Sequence, residues 1–301
     1  MLDISNLLHN AALLMTVLAL IGNVIAVATR ARLRSVQTPS RQRVAVGAGG
    51  ADAVLDDAME PDVDEGRGLG WYSDRLIELS FVTLTISLVL RSLVTGHAPF
   101  ANQFEFSTAF AWAVLGCFAY FEWRYKIRGL ALLVLPIAVA LLFYASNLDK
   151  DVSPLIPALQ NSLLLTLHVF TAVIGNGAAA VSFAAAVLFL ARPHIHWKVL
   201  PSEEVLEEIG YRAVVLAFPM LTLMIVLGAL WADTAWGRYW SWDPKETAAL
   251  VTWLIYGAYL HARVIAGWRG NRAAWLLILG FVAVVFTFLG NHWFGGLHSY
   301  A

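Results

Sequence analysis

The sequence predicts an all-α integral membrane protein of about eight transmembrane helices, with both termini on the outer face. Three observations carry that expectation. The chain is 59% hydrophobic and only 14% charged, with a mean hydropathy of +0.67, outside the range of water-soluble domains. It contains eight apolar runs of a length that can cross roughly 30 Å of hydrocarbon at about 1.5 Å per helical residue. Its basic residues are distributed asymmetrically between the segments that join those runs. A net charge of −1 leaves no basis for a nucleic-acid partner,.

The runs fall at residues 7–28, 76–95, 107–121, 129–146, 163–191, 213–231, 248–265 and 274–291. The first is longer than the apolar core of a signal peptide, ends in Arg30, Arg32 and Arg34, and has no small-residue cleavage site after it. It is expected to be retained as a membrane span, giving a first unit over 1–29. Residues 30–75 form a polar linker, glycine-rich at Gly47, Gly49 and Gly50 and acidic from Asp52 to Glu65,. The remaining runs form one membrane domain over 76–301. The third run is the shortest, and Cys117 in it is a packing residue with no partner for a disulfide,.

Sixteen of the twenty Lys and Arg lie after the first, third, fifth and seventh runs, and only Arg91, Lys150, Arg238 and Lys245 lie on the other side. Cytoplasmic segments carry the excess of positive charge, so the termini and the segment between the sixth and seventh runs face outward. Glu203, Glu204, Glu207 and Glu208 before the sixth run read as a solvated amphipathic turn.

The outward segment 231–247 is the centre of the chain. It holds Trp231, Trp236, Trp240 and Trp242, four of the twelve tryptophans within twelve residues. Indoles at a membrane surface serve as interfacial anchors. Two features go beyond an anchor belt: Gly237, which can bend the segment, and the ionisable set Asp233, Arg238, Asp243, Lys245 and Glu246. Indole faces beside cations, with Tyr239 among them, suit a large flat apolar ligand with acidic edges. Asp243, Pro244 and Glu246 also have the spacing of an N-cap, a first-turn proline and a capping-box carboxylate, so these three have a structural reading as the start of the seventh helix.

Eight histidines remain to be placed. His168 near the start of the fifth run and His298 in the tail both reach the outer side, from the two ends of the helical half that brackets the tryptophans. A planar macrocycle on the indole shelf would take one axial imidazole from each face. His261 sits near the inner end of the seventh run. It is either a hydrogen-bonded interior histidine or a second, inner station. His97 is expected to shape an outer loop. His9, His194, His196 and His292 have no partner apparent in the sequence and read as exposed or interfacial. No run holds two well-separated histidines, which argues against a respiratory b-type cytochrome with haems stacked through the bilayer.

The stretch Trp236-Gly237-Arg238-Tyr239-Trp240-Ser241-Trp242-Asp243-Pro244-Lys245-Glu246-Thr247, followed by Tyr259-Leu260-His261-Ala262-Arg263 and Gly296-Leu297-His298-Ser299-Tyr300, resembles the CcsA/ResC family of cytochrome c biogenesis proteins, which carry the tryptophan-rich WWD motif. Gly96-His97-Ala98-Pro99-Phe100-Ala101-Asn102 and Pro157-Ala158-Leu159-Gln160 are similar to further stretches of that family.

The resemblance implies the haem-handling subunit of a two-protein cytochrome c synthase in the bacterial cytoplasmic membrane. Such a subunit exports haem b, holds it non-covalently and transiently beneath the outward Trp segment, and promotes its thioether attachment to a CxxCH apocytochrome c. It implies His168 and His298 as the catalytic pair and the outer metal ligands, and His261 as the ligand of an inner station. It implies a CcsB/ResB-like membrane subunit, without which the chain is inactive, and a thioredoxin-like thiol reductant acting indirectly, in a lipid bilayer. The resemblance and the residues together suggest haem contacts from Trp231, Trp236, Arg238, Tyr239, Trp240, Trp242, Asp243 and Lys245. A haem chaperone of the CcmC type, which delivers haem without forming bonds, shares the Trp segment and the two outer histidines.

Overall fold

The computed structural model describes residues 1–36, 68–152, 155, 159–160, 163–195, 197, 200–290 and 294–298. Among the described residues there are eight α-helices and no strand: α1 Leu2–Val36, α2 Leu69–Thr95, α3 Gln103–Tyr125, α4 Ala131–Ser146, α5 Leu163–Ala191, α6 Glu203–Trp236, α7 Pro244–Val264 and α8 Asn271–Leu289. The acidic run of the expected linker, Pro157, Ala158, His196, His292, Ser299 and Tyr300 lie outside the described residues.

The order of helices is the expected one, but the helices are longer than the apolar runs. α1 continues to Val36 and α2 begins at Leu69, both inside the stretch read as linker. α6 extends from Glu203 to Trp236, so the connection into α7 is only 237–243 instead of the whole 231–247. The physical reason is that hydropathy marks the lipid-facing part of a helix, whereas capping decides where it ends. Ser202 caps α6, accepting from Val205 N, and Gly237 closes it in the left-handed conformation at φ 71. Among the described residues, seven helices are long and apolar enough to cross a membrane. α7 does not meet that measure. It has 21 residues, enough to reach across about 30 Å, but its ends carry Lys245, Glu246, His261 and Arg263.

Packing follows the logic of helices in lipid, where small residues let backbones approach and buried polar groups must find partners. On α2 the buried residues Ser73, Ser80 and Ser87 recur every seven positions. Their hydroxyls meet Ala19 O, Thr16 Oγ1 and Ser5 on α1. α5 is the central helix, with buried Gly175, Gly177, Ala178, Ala179 and Ala180. A Cβ at Gly177 would stand 2.7 Å from the Ala113 carbonyl on α3.

Two expectations are corrected here. His9 is neither exposed nor interfacial: it is fully buried, with ring nitrogens 3.1 Å from Ser146 Oγ and 3.2 Å from Thr108 Oγ1. Glu207 and Glu208 are no solvated turn: Glu207 pairs with Arg263 on α7, and Glu208 with Arg212 at 2.8 Å. They lock the end of the bundle opposite the Trp segment.

At the Trp end a buried ion pair ties two loops together. Arg91 Nε donates to Glu105 Oε1 at 2.6 Å, and both side chains are 1% exposed. Arg91 Nη2 also donates to Lys150 O, and Glu105 Oε2 accepts from Ala101 N. Arg91→Ala is expected to cost about 3–5 kcal/mol, because it leaves the Glu105 carboxylate buried without its cation. Unfolding of the purified protein in mixed micelles measures this, and a loss below about 1 kcal/mol would show that the carboxylate finds water instead.

Candidate functional site

The start of α5, the end of α6, the start of α7, the end of α8 and the first turn of α3 converge on one open cavity. His168 and His298 both line it, as do Trp231, Trp236, Tyr239, Trp240, Lys245 and Glu246. The two histidines flank the same indole. The Trp231 ring is stacked on His168 at 6.3 Å between centroids and tilted against His298 at 6.0 Å. Trp236 meets His298 edge-on at 4.8 Å and Trp231 at 4.8 Å.

Both imidazoles are held by their Nδ1 atoms. His168 Nδ1 lies 2.7 Å from Met224 O; a carbonyl only accepts, so Nδ1 carries the proton and Nε2 the lone pair,. His298 Nδ1 lies 2.9 Å from Asp243 Oδ1, and a carboxylate selects the same tautomer,. Nε2 is therefore the nitrogen that could serve as a ligand on each ring. The donor set fits an iron porphyrin: two imidazoles, indole faces and a cation, in an apolar chamber,. A close approach makes the His168 side possible, since Gly228 faces its ring. A Cβ there would stand 2.7 Å from His168 Nδ1.

Asp243 performs two tasks. Its Oδ1 accepts from Lys245 N at 2.9 Å, and Glu246 Oε2 accepts from Asp243 N at 3.2 Å, closing the capping box that starts α7. The same carboxylate anchors the tail: Oδ2 accepts from Leu297 N at 2.6 Å and Oδ1 from His298. Burial alone would raise this carboxyl. The hydrogen bond from His298, with those from the N–H groups of Lys245 and Leu297, outweighs burial and holds it at about 2 instead of 3.8. A depressed carboxylate stabilises the fold above its unfolded value and ceases to do so as pH falls through the folded one. The stability that Asp243→Asn removes is therefore expected to be constant from neutral pH down to about 4 and to vanish near 2. Acid unfolding of the two proteins in detergent tests this; a difference already lost at pH 5 would contradict it.

The other named residues fall elsewhere. Arg238 is exposed and does not line the cavity. Trp242 has a positive φ of 57 and is 69% exposed, turned away to pack edge-on against Trp240 at 5.7 Å. Asp243 acts from behind His298, outside the lining. His261 is exposed near the other end of α7, 18 residues from Asp243 and hence about 27 Å along the axis,. Residues without a signal in the sequence also line the cavity: Phe106 of α3, stacked on Phe288 at 5.9 Å with Lys245 Nζ 5.8 Å from its centre, and Asn176, Met224 and Gly228. Trp231 is 3% exposed and belongs to the wall, whereas Trp242 does not. Trp231→Ala is accordingly expected to lower haem retention about tenfold or more, and Trp242→Ala by less than about twofold. Equal losses in a haem-release assay would mean that the indoles act only as anchors.

Comparison with known proteins gives a consistent result. Residues 100–298 match the family described as Cytochrome C assembly protein. Cytochrome c biogenesis protein CcsA of Guillardia theta is 34% identical over 250 residues, covering 74% of this chain and 83% of the relative. CcsA of Chlamydomonas reinhardtii is 35% identical over 238 residues, covering 75% and 67%. Among solved structures, the cytochrome c haem lyase CcmF superposes with a TM-score of 0.60 at 20% identity, over 96% of this chain and 46% of that one. At that identity the likeness is one of fold, and this chain spans less than half of CcmF. The family match begins at Phe100 and ends at His298, both of which line the cavity, so the shared part is the part that builds the site: the chain belongs to the cytochrome c assembly protein family.

Proposed function

We propose that this chain is the haem-handling subunit of a cytochrome c synthase, holding haem b transiently in the cavity and presenting it to a CxxCH apocytochrome. The observation that carries the proposal is the pair of imidazoles in one chamber, each fixed by Nδ1 and each against Trp231. The relatives named CcsA support cytochrome c biogenesis as the process.

Haem is the substrate here, and what the chain supplies is position. His168 and His298 hold the macrocycle from two sides while the indoles and Phe106 exclude water from its faces. Lys245 offers a cation to a propionate. In the attachment step a thiol S–H adds across a vinyl C=C: sulfur bonds to the inner carbon and hydrogen goes to the terminal one, with no net oxidation. Such an addition needs its reactants held within roughly 3–3.5 Å in a near-attack pose and the thiol kept reduced, so proximity supplies much of the rate. A thioredoxin-like reductant would act indirectly, by keeping the acceptor cysteines reduced. His261, exposed near the other end of α7, would serve an inner station completed by a CcsB/ResB-like subunit. The excess of basic residues on the other side supports an outward-facing cavity in a bacterial cytoplasmic membrane,.

Co-expression with a CcsB-like subunit and a CxxCH reporter, in a host lacking its own maturation system, tests the proposal. Covalent haem on the reporter is the expected result. Haem retained by the chain with no reporter maturation would favour a CcmC-like chaperone instead.

A further inference from the structure

A second hollow adjoins the cavity, and Phe100, Ala101, Leu159 and Leu165 line both. Its own lining comes from two banks: Gly96, His97 and Ala98 in the loop between α2 and α3, and Leu155, Gln160 and Thr166 before and on α5. The buried Arg91–Glu105 pair reaches toward both. Glu105 Oε2 binds Ala101 N at 2.7 Å on the first bank, while Arg91 Nη2 binds Lys150 O at 2.9 Å on the segment leading to the second. A buried ion pair, costly to place in a membrane protein, thus ties the first bank at Ala101 to the backbone at Lys150.

The lining is suited to polypeptide. His97 donates its Nδ1 proton to Ala98 O at 2.8 Å, which makes Nε2 an acceptor,. Thr166 adds a hydroxyl, and Leu159 and Leu165 give apolar contact. Two substrates that form a bond must meet within roughly 3–3.5 Å, so the chain bearing the thiols has to lie in a space continuous with the one that holds the haem. We propose that this hollow is the seat of the cysteine-bearing segment of the acceptor polypeptide, held extended between the two banks. The inference rests on the haem-presenting reading above and adds where the second substrate binds.

Ala98→Trp and Thr166→Trp fill the hollow from opposite banks, and neither residue lines the haem cavity. In co-expression with the CcsB-like subunit and the CxxCH reporter, each variant is expected to keep the haem absorbance of the unmodified protein while reporter maturation falls at least about tenfold. A photo-reactive amino acid at position 98 or 166 is expected to cross-link to the reporter and to be competed by a synthetic CxxCH peptide. Maturation at the unmodified level in both tryptophan variants, or no cross-link to the reporter, overturns the inference. Loss of haem together with maturation would assign the hollow to the haem site and also overturns it. If the unmodified protein binds no haem and matures no reporter, the haem-presenting reading itself fails, and the inference with it.

Discussion

Replacing His168 or His298 with alanine is expected to lower covalent haem on a co-expressed reporter by at least about a hundredfold, since losing even an outer-shell partner of a metal ligand costs 10–100-fold. The amount of chain in the membrane should change by less than about twofold. His168 is bonded to a backbone carbonyl within α6, and His298 to a carboxylate that keeps two further hydrogen bonds, from Lys245 N at the start of α7 and Leu297 N in the tail. Neither ring is a strut on which a helix depends, so the loss should be specific to the ligand. Added imidazole, small enough to enter an open cavity, should restore part of the haem signal in either variant. Full maturation by both variants would mean that the two rings only line the chamber.

Gly228→Ala is the second large effect, and its sign separates site from scaffold. Gly228 lies within α6, where alanine is favoured over glycine by about 1 kcal/mol. Yet the new methyl would stand 2.7 Å from His168 Cε1 and Nδ1, closer than real side chains come. The ring must rotate or withdraw, breaking its bond to Met224 O and re-aiming Nε2. Haem retention should fall at least about tenfold while thermal stability of the haem-free protein holds or rises. A variant that binds haem normally would show that the ring has room to move and that its fixed pose is not needed.

Much of the architecture was legible because lipid imposes it. Eight apolar runs gave eight helices in the right order, and Asp243, Pro244 and Glu246 form the capping box that their spacing predicts. What hydropathy could not show is where polar helix extends beyond the bilayer. Trp231 and Trp236, read as loop, are the last turns of α6 and form cavity wall, while Trp242 is swung outward by its left-handed backbone. The seven-residue repeat of Ser73, Ser80 and Ser87 was present in the sequence but straddled the start of an apolar run, with Ser73 in the stretch read as linker. Gly228 and Phe106 carried no signal, since their roles come from approaches between helices distant in the chain. His9 misled in the opposite direction: a lone histidine near a terminus suggests exposure, and only the meeting of α1, α3 and α4 supplies the two hydroxyls that bury it.

The most direct measurement is low-temperature electron paramagnetic resonance of the purified, haem-loaded chain in a His261→Ala background, which silences any inner station. A macrocycle held between residues 168 and 298 gives the low-spin signal of ferric iron with two imidazoles. His168→Ala and His298→Ala should each convert it to high spin, reversibly with added imidazole. A low-spin, bis-imidazole signal that survives in the protein lacking both histidines would contradict the account.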